Sequence, residues 1–126
     1  MSMRSELSKV RGLGSAKSGT EHFWQQRVTA IANVPLVIFV VWFVIAHLGA
    51  KRADVVASIQ HPLTAIVLIL AMASILWHMR LGLQIVIEDY VHAPALKLAC
   101  LLANIFFATG LFAVSAYAIL KMSFGL

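Results

Sequence analysis

Three charged or strongly polar side chains, His78, Arg80 and Gln84, stand inside a largely apolar run. His78 lies nine positions before Ile87, where that run ends. On a helix this is roughly 13 Å from the end, near the middle of a bilayer. An ionisable group at that depth is costly and marks a functional site by default. A neutral imidazole nitrogen is an axial ligand for haem iron. It also serves as a hydrogen-bonding group between packed helices. The position of His78 by itself supports both readings.

The surroundings of His78 sharpen the ligand reading. At about 100° per residue, Ala71, Ser74, Gly82 and Ile85 fall within about 40° of it on a helix. Three of these are small. Gly82, one turn along, would clear room for a flat macrocycle, although small residues also serve close helix packing. Ser74 is placed to orient the imidazole ring, directly or through its carbonyl. Arg80 lies about 160° away from His78. It would snorkel to the headgroups or reach an acidic group such as a haem propionate or a partner's carboxylate. Arg27, at the mouth of an earlier apolar run, is better placed for a propionate, or anchors at the interface.

Asp89 returns to within about 20° of the His78 face, and Tyr90 follows it. A tyrosine hydroxyl at a membrane interface donates to a quinone carbonyl, and a neighbouring carboxylate orients it or relays protons. Tyrosines also populate interfacial belts without any such role. His22, His47, His61 and His92 lie near span ends or in polar segments and read as interfacial. Asn33 and Asn104 read as hydrogen-bonding groups between helices.

These groups need helices that cross a bilayer. The 126 residues are 61% hydrophobic and only 12% charged. Soluble domains carry about 45–50% apolar and about 25% charged residues, so a water-soluble fold is excluded. Three uncharged or nearly uncharged runs cover residues 28–48, 62–87 and 98–120. Each spans a hydrocarbon core of roughly 30 Å at about 1.5 Å per residue. The fold class is an all-α membrane protein of three transmembrane helices, built to join a larger helical bundle.

Punctuation along the chain agrees. Pro35 interrupts the first span's backbone bonding, which membrane helices tolerate. Lys51, Arg52 and Asp54 mark its end. Pro62 suits a first helical turn. The second span exceeds the bilayer, so it should tilt or protrude. Pro94 sits in a short turn over residues 92–95. Residues 1 to about 20 read as an extended polar arm, and residues 21–27 as an amphipathic interfacial segment with Phe23 and Trp24. The first apolar run follows a long polar lead and should stay as a helix rather than be cleaved.

The net charge is +5, concentrated near the N-terminus. In a chain that cannot stay in water this is a topology signal, not a nucleic-acid surface. Arg4, Lys9, Arg11, Lys17, Arg27 and Lys97 flank one membrane face, and Lys51, Arg52 and Lys121 the other. The positive-inside rule puts the N-terminus in the cytoplasm. Cys100 is the only cysteine, so the chain builds neither an internal disulfide nor a cysteine metal site alone.

The string from His78 through Gly82, Gln84, Asp89 and Tyr90 resembles the signature of the smaller membrane anchor of succinate dehydrogenase. The stretch from Gly12 through His22, Phe23, Trp24 and Arg27 is similar to that family's lead into its first helix. The resemblance implies that His78 is one axial ligand of haem b, with the second supplied by a companion cytochrome b subunit. It implies that Tyr90 hydrogen-bonds ubiquinone beside an iron–sulfur subunit, supported by Asp89, and that Arg27 sits near a propionate. The register before the first helix is shifted by one at His22, and Arg80 receives no role. A flavoprotein subunit would oxidise succinate. The expected location is the bacterial inner membrane.

Two other readings fit the spans: a non-enzymatic three-helix scaffold or assembly protein, and a di-haem fumarate reductase anchor. The second asks for several intramembrane histidines, whereas this chain has one near mid-membrane.

Overall fold

In a computed structural model that describes residues 5–12 and 20–125, the chain is helical throughout its regular parts. Five helices follow one another: α1 Glu6–Val10, α2 Glu21–Ala46, α3 Arg52–Gln60, α4 Pro62–Tyr90 and α5 Pro94–Ser123. Among the described residues, α2, α4 and α5 are long and apolar enough to cross a membrane.

Prolines set where two of these helices start. His61 (φ −67°, ψ 121°) and Ala93 (φ −69°, ψ 119°) are extended. The residue before a proline is pushed out of the helical region by clash with the ring. Pro62 and Pro94 then take the first helical position, where a missing N–H costs nothing. Gly49 ends the connection after α2 with φ +76°, a left-handed conformation that glycine adopts without strain. Pro35 stands inside α2, which continues through it.

Several boundaries differ from the sequence expectation. The interfacial segment of residues 21–27 is simply the start of α2. Glu88, Asp89 and Tyr90 close α4 instead of following it, because Val91 is the first extended residue. The turn expected over residues 92–95 is shorter, since α5 already starts at Pro94. Residues 52–60, read only as a charged end to the first span, form α3. Its apolar side, with Ile59 and Val55, packs into the core, a pattern too short to stand out. Within the expected extended arm, residues 6–10 form α1, bridged by Lys9 and Glu6. Residues 13–19 of that arm lie outside the described residues.

The long helices form a layer with α4 in the middle. α2 and α5 each pack along α4, and their backbones do not approach each other. Short α3 sits against α4 and α5 at one end. The apolar core lies at that end: Phe43, Ile59, Ala65 and Ile119, joined by Phe39, Leu68 and Met72. The opposite half of the layer holds no such cluster among the described residues. Leu76, Leu81 and Ala108 are buried in the helix contacts there, and Ala71, toward the core, is fully buried.

Polar bonds tie the layer together. Ser74 Oγ donates to Asn33 Oδ1 at 2.7 Å, joining α4 to α2. Asn104 Nδ2 donates to the Arg80 carbonyl at 2.9 Å, joining α5 to α4. Both asparagines thus act as the interhelical groups expected of them. Such bonds are worth about 0.6 kcal/mol on average in a membrane, and up to about 2 kcal/mol. Ser74→Ala should weaken the α2–α4 pair by that amount. Denaturant titration of the chain in micelles would register it, and an unshifted midpoint would show the bond carries nothing.

Candidate functional site

The site is built on one face of α2. His22, Gln26, Thr29 and Asn33 recur at intervals of four, three and four residues. That spacing stacks them on a single side of the helix, and the side faces α4. Asn33 meets Ser74, Thr29 meets His78, and Gln26 lies opposite Gly82. Each step along α2 is matched by the reverse step along α4, as antiparallel helices require.

His78 is half-buried, and its Nδ1 lies 3.0 Å from Thr29 Oγ1. The Thr29 hydroxyl has one proton, and it lies 2.7 Å from the Gln25 carbonyl, which only accepts. With its proton on Gln25 the hydroxyl accepts from His78 Nδ1–H, and with its proton on the ring it donates to Nδ1. The first arrangement leaves a lone pair on Nε2, which makes no hydrogen bond among the described residues. A ring held by Nδ1 with Nε2 free is the arrangement of a metal-ligating histidine with its outer partner in place.

A groove of about 520 Å³ opens between α2 and α4, reaching Thr29, the partner of His78, though not lined by His78 itself. Thr29, Ala32, Leu36, Leu70, Ala73, Ser74 and Trp77 wall it, and three of these seven are Ala or Ser. Gly82 lies outside this groove, opposite Gln26. A Cβ there would meet Gln26 Nε2 at 3.7 Å, an ordinary contact, so helix packing does not demand the glycine.

The ring partner is Thr29, not Ser74, whose hydroxyl is committed to Asn33. Ser74 remains a wall of the groove. Thr29 and Gln26 were missed in the sequence. The signal that finds them is the recurrence of polar residues at helical spacing on an apolar span. Two polar atoms on this face are buried without partners: His22 Nε2 and Gln26 Oε1. Buried polar atoms are normally satisfied, so this face is shaped for something with hydrogen-bonding groups.

Arg27 is not brought to this groove. It sits two residues before Thr29, on the far side of α2, exposed, with its guanidinium 5.0 Å from the Phe23 ring centroid. Asp89 and Tyr90 are exposed at the end of α4, and Tyr90 is 77% accessible. They lie about 18 Å along the helix from His78, so no single molecule in the groove touches both ends directly. Next to them Gln84 Nε2 donates to Glu88 Oε1, and Lys97 Nζ donates to the Glu88 carbonyl, both at 2.8 Å. These bonds leave the Tyr90 hydroxyl free.

Among the described residues no three His, Cys, Asp or Glu side chains gather to hold a metal ion. A metal at His78 would thus need its remaining ligands from outside these residues.

Comparison with known proteins completes the description. The family of succinate dehydrogenase/fumarate reductase transmembrane subunits matches residues 1–112. The chain is 34% identical over 100 residues to the succinate dehydrogenase hydrophobic membrane anchor subunit of Rickettsia bellii (strain RML369-C), covering 79% of this chain and 80% of that one. It is 29% identical over 116 residues to the subunit of the same name from Paracoccus denitrificans, covering 92% and 89%. The succinate dehydrogenase membrane anchor subunit of Reclinomonas americana is 28% identical over 85 residues, covering 65% and 71%. No solved structure matches.

Proposed function

Because the chain belongs to the family of succinate dehydrogenase/fumarate reductase transmembrane subunits, we propose that it anchors a succinate:quinone oxidoreductase and shares in its haem b and quinone sites. The supporting observation is the His78 ring, half-buried within the α4 span, with Nδ1 engaged by Thr29 of α2 and Nε2 without a hydrogen-bond partner among the described residues.

In this reading His78 Nε2 would hold the iron of haem b, with a further ligand from a companion cytochrome b subunit. Bound haem would supply a one-electron redox centre within the membrane. Thr29 keeps the imidazole in the ligating tautomer. Ser74 and Gly82 leave space for the ring edge. His22 Nε2 and Gln26 Oε1 offer polar contacts on the same face. Arg27 contributes at the membrane mouth and not inside the groove.

Tyr90 and Asp89 form this chain's part of the quinone pocket. The Tyr90 hydroxyl donates to a quinone carbonyl, and as electrons arrive the oxygen gains negative charge. A donor aimed at that oxygen is worth more in the reduced species, so it favours reduction. Asp89, beside it, takes part in delivering protons. Iron–sulfur and flavoprotein subunits carry electrons from succinate to this point. The basic residues near the N-terminus and Lys97 put the pocket on the cytoplasmic face of a bacterial inner membrane.

The first test is isolation of the tagged chain from membranes. A flavoprotein, an iron–sulfur protein and a second hydrophobic chain should come with it, with a b-type haem spectrum. A colourless chain recovered without a flavoprotein would overturn the reading. Thr29→Val offers a finer test. Loss of an outer-shell partner costs about 10- to 100-fold in metal affinity or activity. Haem in the Thr29→Val complex should dissociate more readily in detergent, and Thr29→Ser should restore it. Equal retention in all three proteins would show that Thr29 does not support the ligand.

A further inference from the structure

A second groove, of about 360 Å³, runs along α4 where α5 packs. Leu76, Trp77, Ala108, Thr109 and Phe112 wall it, and Arg80 is its one charged group. The Arg80 guanidinium lies 5.2 Å from the Trp77 ring centroid. Trp77 is three residues farther from the Glu88 end of α4, so the cation folds toward the middle of the span. It does not snorkel. Its Nε is buried with no hydrogen-bond partner. Among the described residues the one ion pair is Lys9–Glu6, far from this groove in the sequence. Arg80 thus carries a charge that no carboxylate among the described residues matches.

Depth selects the kind of counter-ion. Lys97 and the Glu88 carbonyl are bonded at the end of α4, and Arg80 lies eight residues deeper, about 12 Å along the axis. A lipid phosphate stays at the headgroup level, so meeting one would pull Arg80 off Trp77. A carboxylate on another transmembrane helix can sit at this depth. Ala73, on the wall of the groove, is small enough to let a helix backbone come close. Ala73 and Trp77 also wall the groove between α2 and α4, so the two grooves adjoin at these residues.

We propose that this groove seats a transmembrane helix of the companion hydrophobic subunit, with an Asp or Glu side chain paired to Arg80. The inference rests on the anchor reading for the existence of that subunit. It adds the surface and the charge that select it.

The test uses the intact complex in membranes. A benzophenone amino acid placed at position 109 should, on irradiation, form an adduct with the second hydrophobic chain. Mass mapping should put the link near an acidic residue. Arg80→Gln should lower recovery of that chain with the tagged subunit about tenfold in detergent, since it leaves a buried carboxylate unpaired. Arg80→Lys should restore most of it. Adducts with lipid alone, or unaltered recovery in Arg80→Gln, would overturn the proposal while the anchor reading stood. Failure of the unsubstituted chain to bring any flavoprotein would remove both.

Discussion

Tyr90→Phe is expected to lower succinate:quinone turnover about a hundredfold while haem content and succinate oxidation with an artificial dye stay unchanged. The substitution keeps the ring and removes only the hydroxyl. Tyr90 is 77% exposed at the end of α4, and no part of the described chain rests on it. The loss would therefore report the missing donor and not a damaged fold. Removing one preorganised donor to a developing oxyanion costs about 10²–10³ in rate. The dye assay takes electrons before the quinone and so isolates the step. If quinone turnover were equal in the two proteins, Tyr90 would belong to the interfacial aromatic belt and not to the pocket.

His78→Ala should give the other large effect: near-complete loss of b-type haem from the complex. A side chain that merely packed would leave the spectrum intact. His78 is half-buried and its one hydrogen bond runs to Thr29, while the apolar core lies at the α3 end of the layer. All three spans should therefore still insert, as protease protection in vesicles would show. Added imidazole should restore part of the spectrum by filling the vacated coordination position. A full haem spectrum in His78→Ala without imidazole would exclude the residue as a ligand.

The two effects are separable because α4 places the groups about 18 Å apart along its axis. One helix thus presents a ligand deep in the membrane and a donor at the surface. Its 29 residues, about 43 Å long, make that possible. A span trimmed to the roughly 30 Å hydrocarbon core could not carry both.

Much of this was legible in the sequence, for physical reasons. A membrane helix must be apolar along its whole length, so three spans declare themselves by composition. A polar group inside one stands out against that background, which is how His78 was found. The prolines that open α4 and α5 bound those helices from the start. Less legible was α3, whose nine residues include Arg52, Asp54 and Gln60 and so resemble a polar connection. Its helix is supported by packing of Ile59 and Val55, which only the folded chain reveals. The partner of His78 was also misplaced. Ser74 is close to His78 on the same helix, but a neighbouring helix supplied the hydroxyl. Positions on one helix follow from angles alone, whereas the register between helices depends on both sequences at once. Arg80 shows the same limit. Its angle on α4 was readable, but its stacking on Trp77 and its unmatched charge were not.

The most direct test is a map of the intact complex at side-chain resolution. The account predicts His78 Nε2 bonded to haem iron, with Nδ1 still donating to Thr29 Oγ1 and the plane of the macrocycle beside Ser74 and Gly82. Iron held by two ligands from other chains, with the His78 ring packed against protein or lipid, would contradict it.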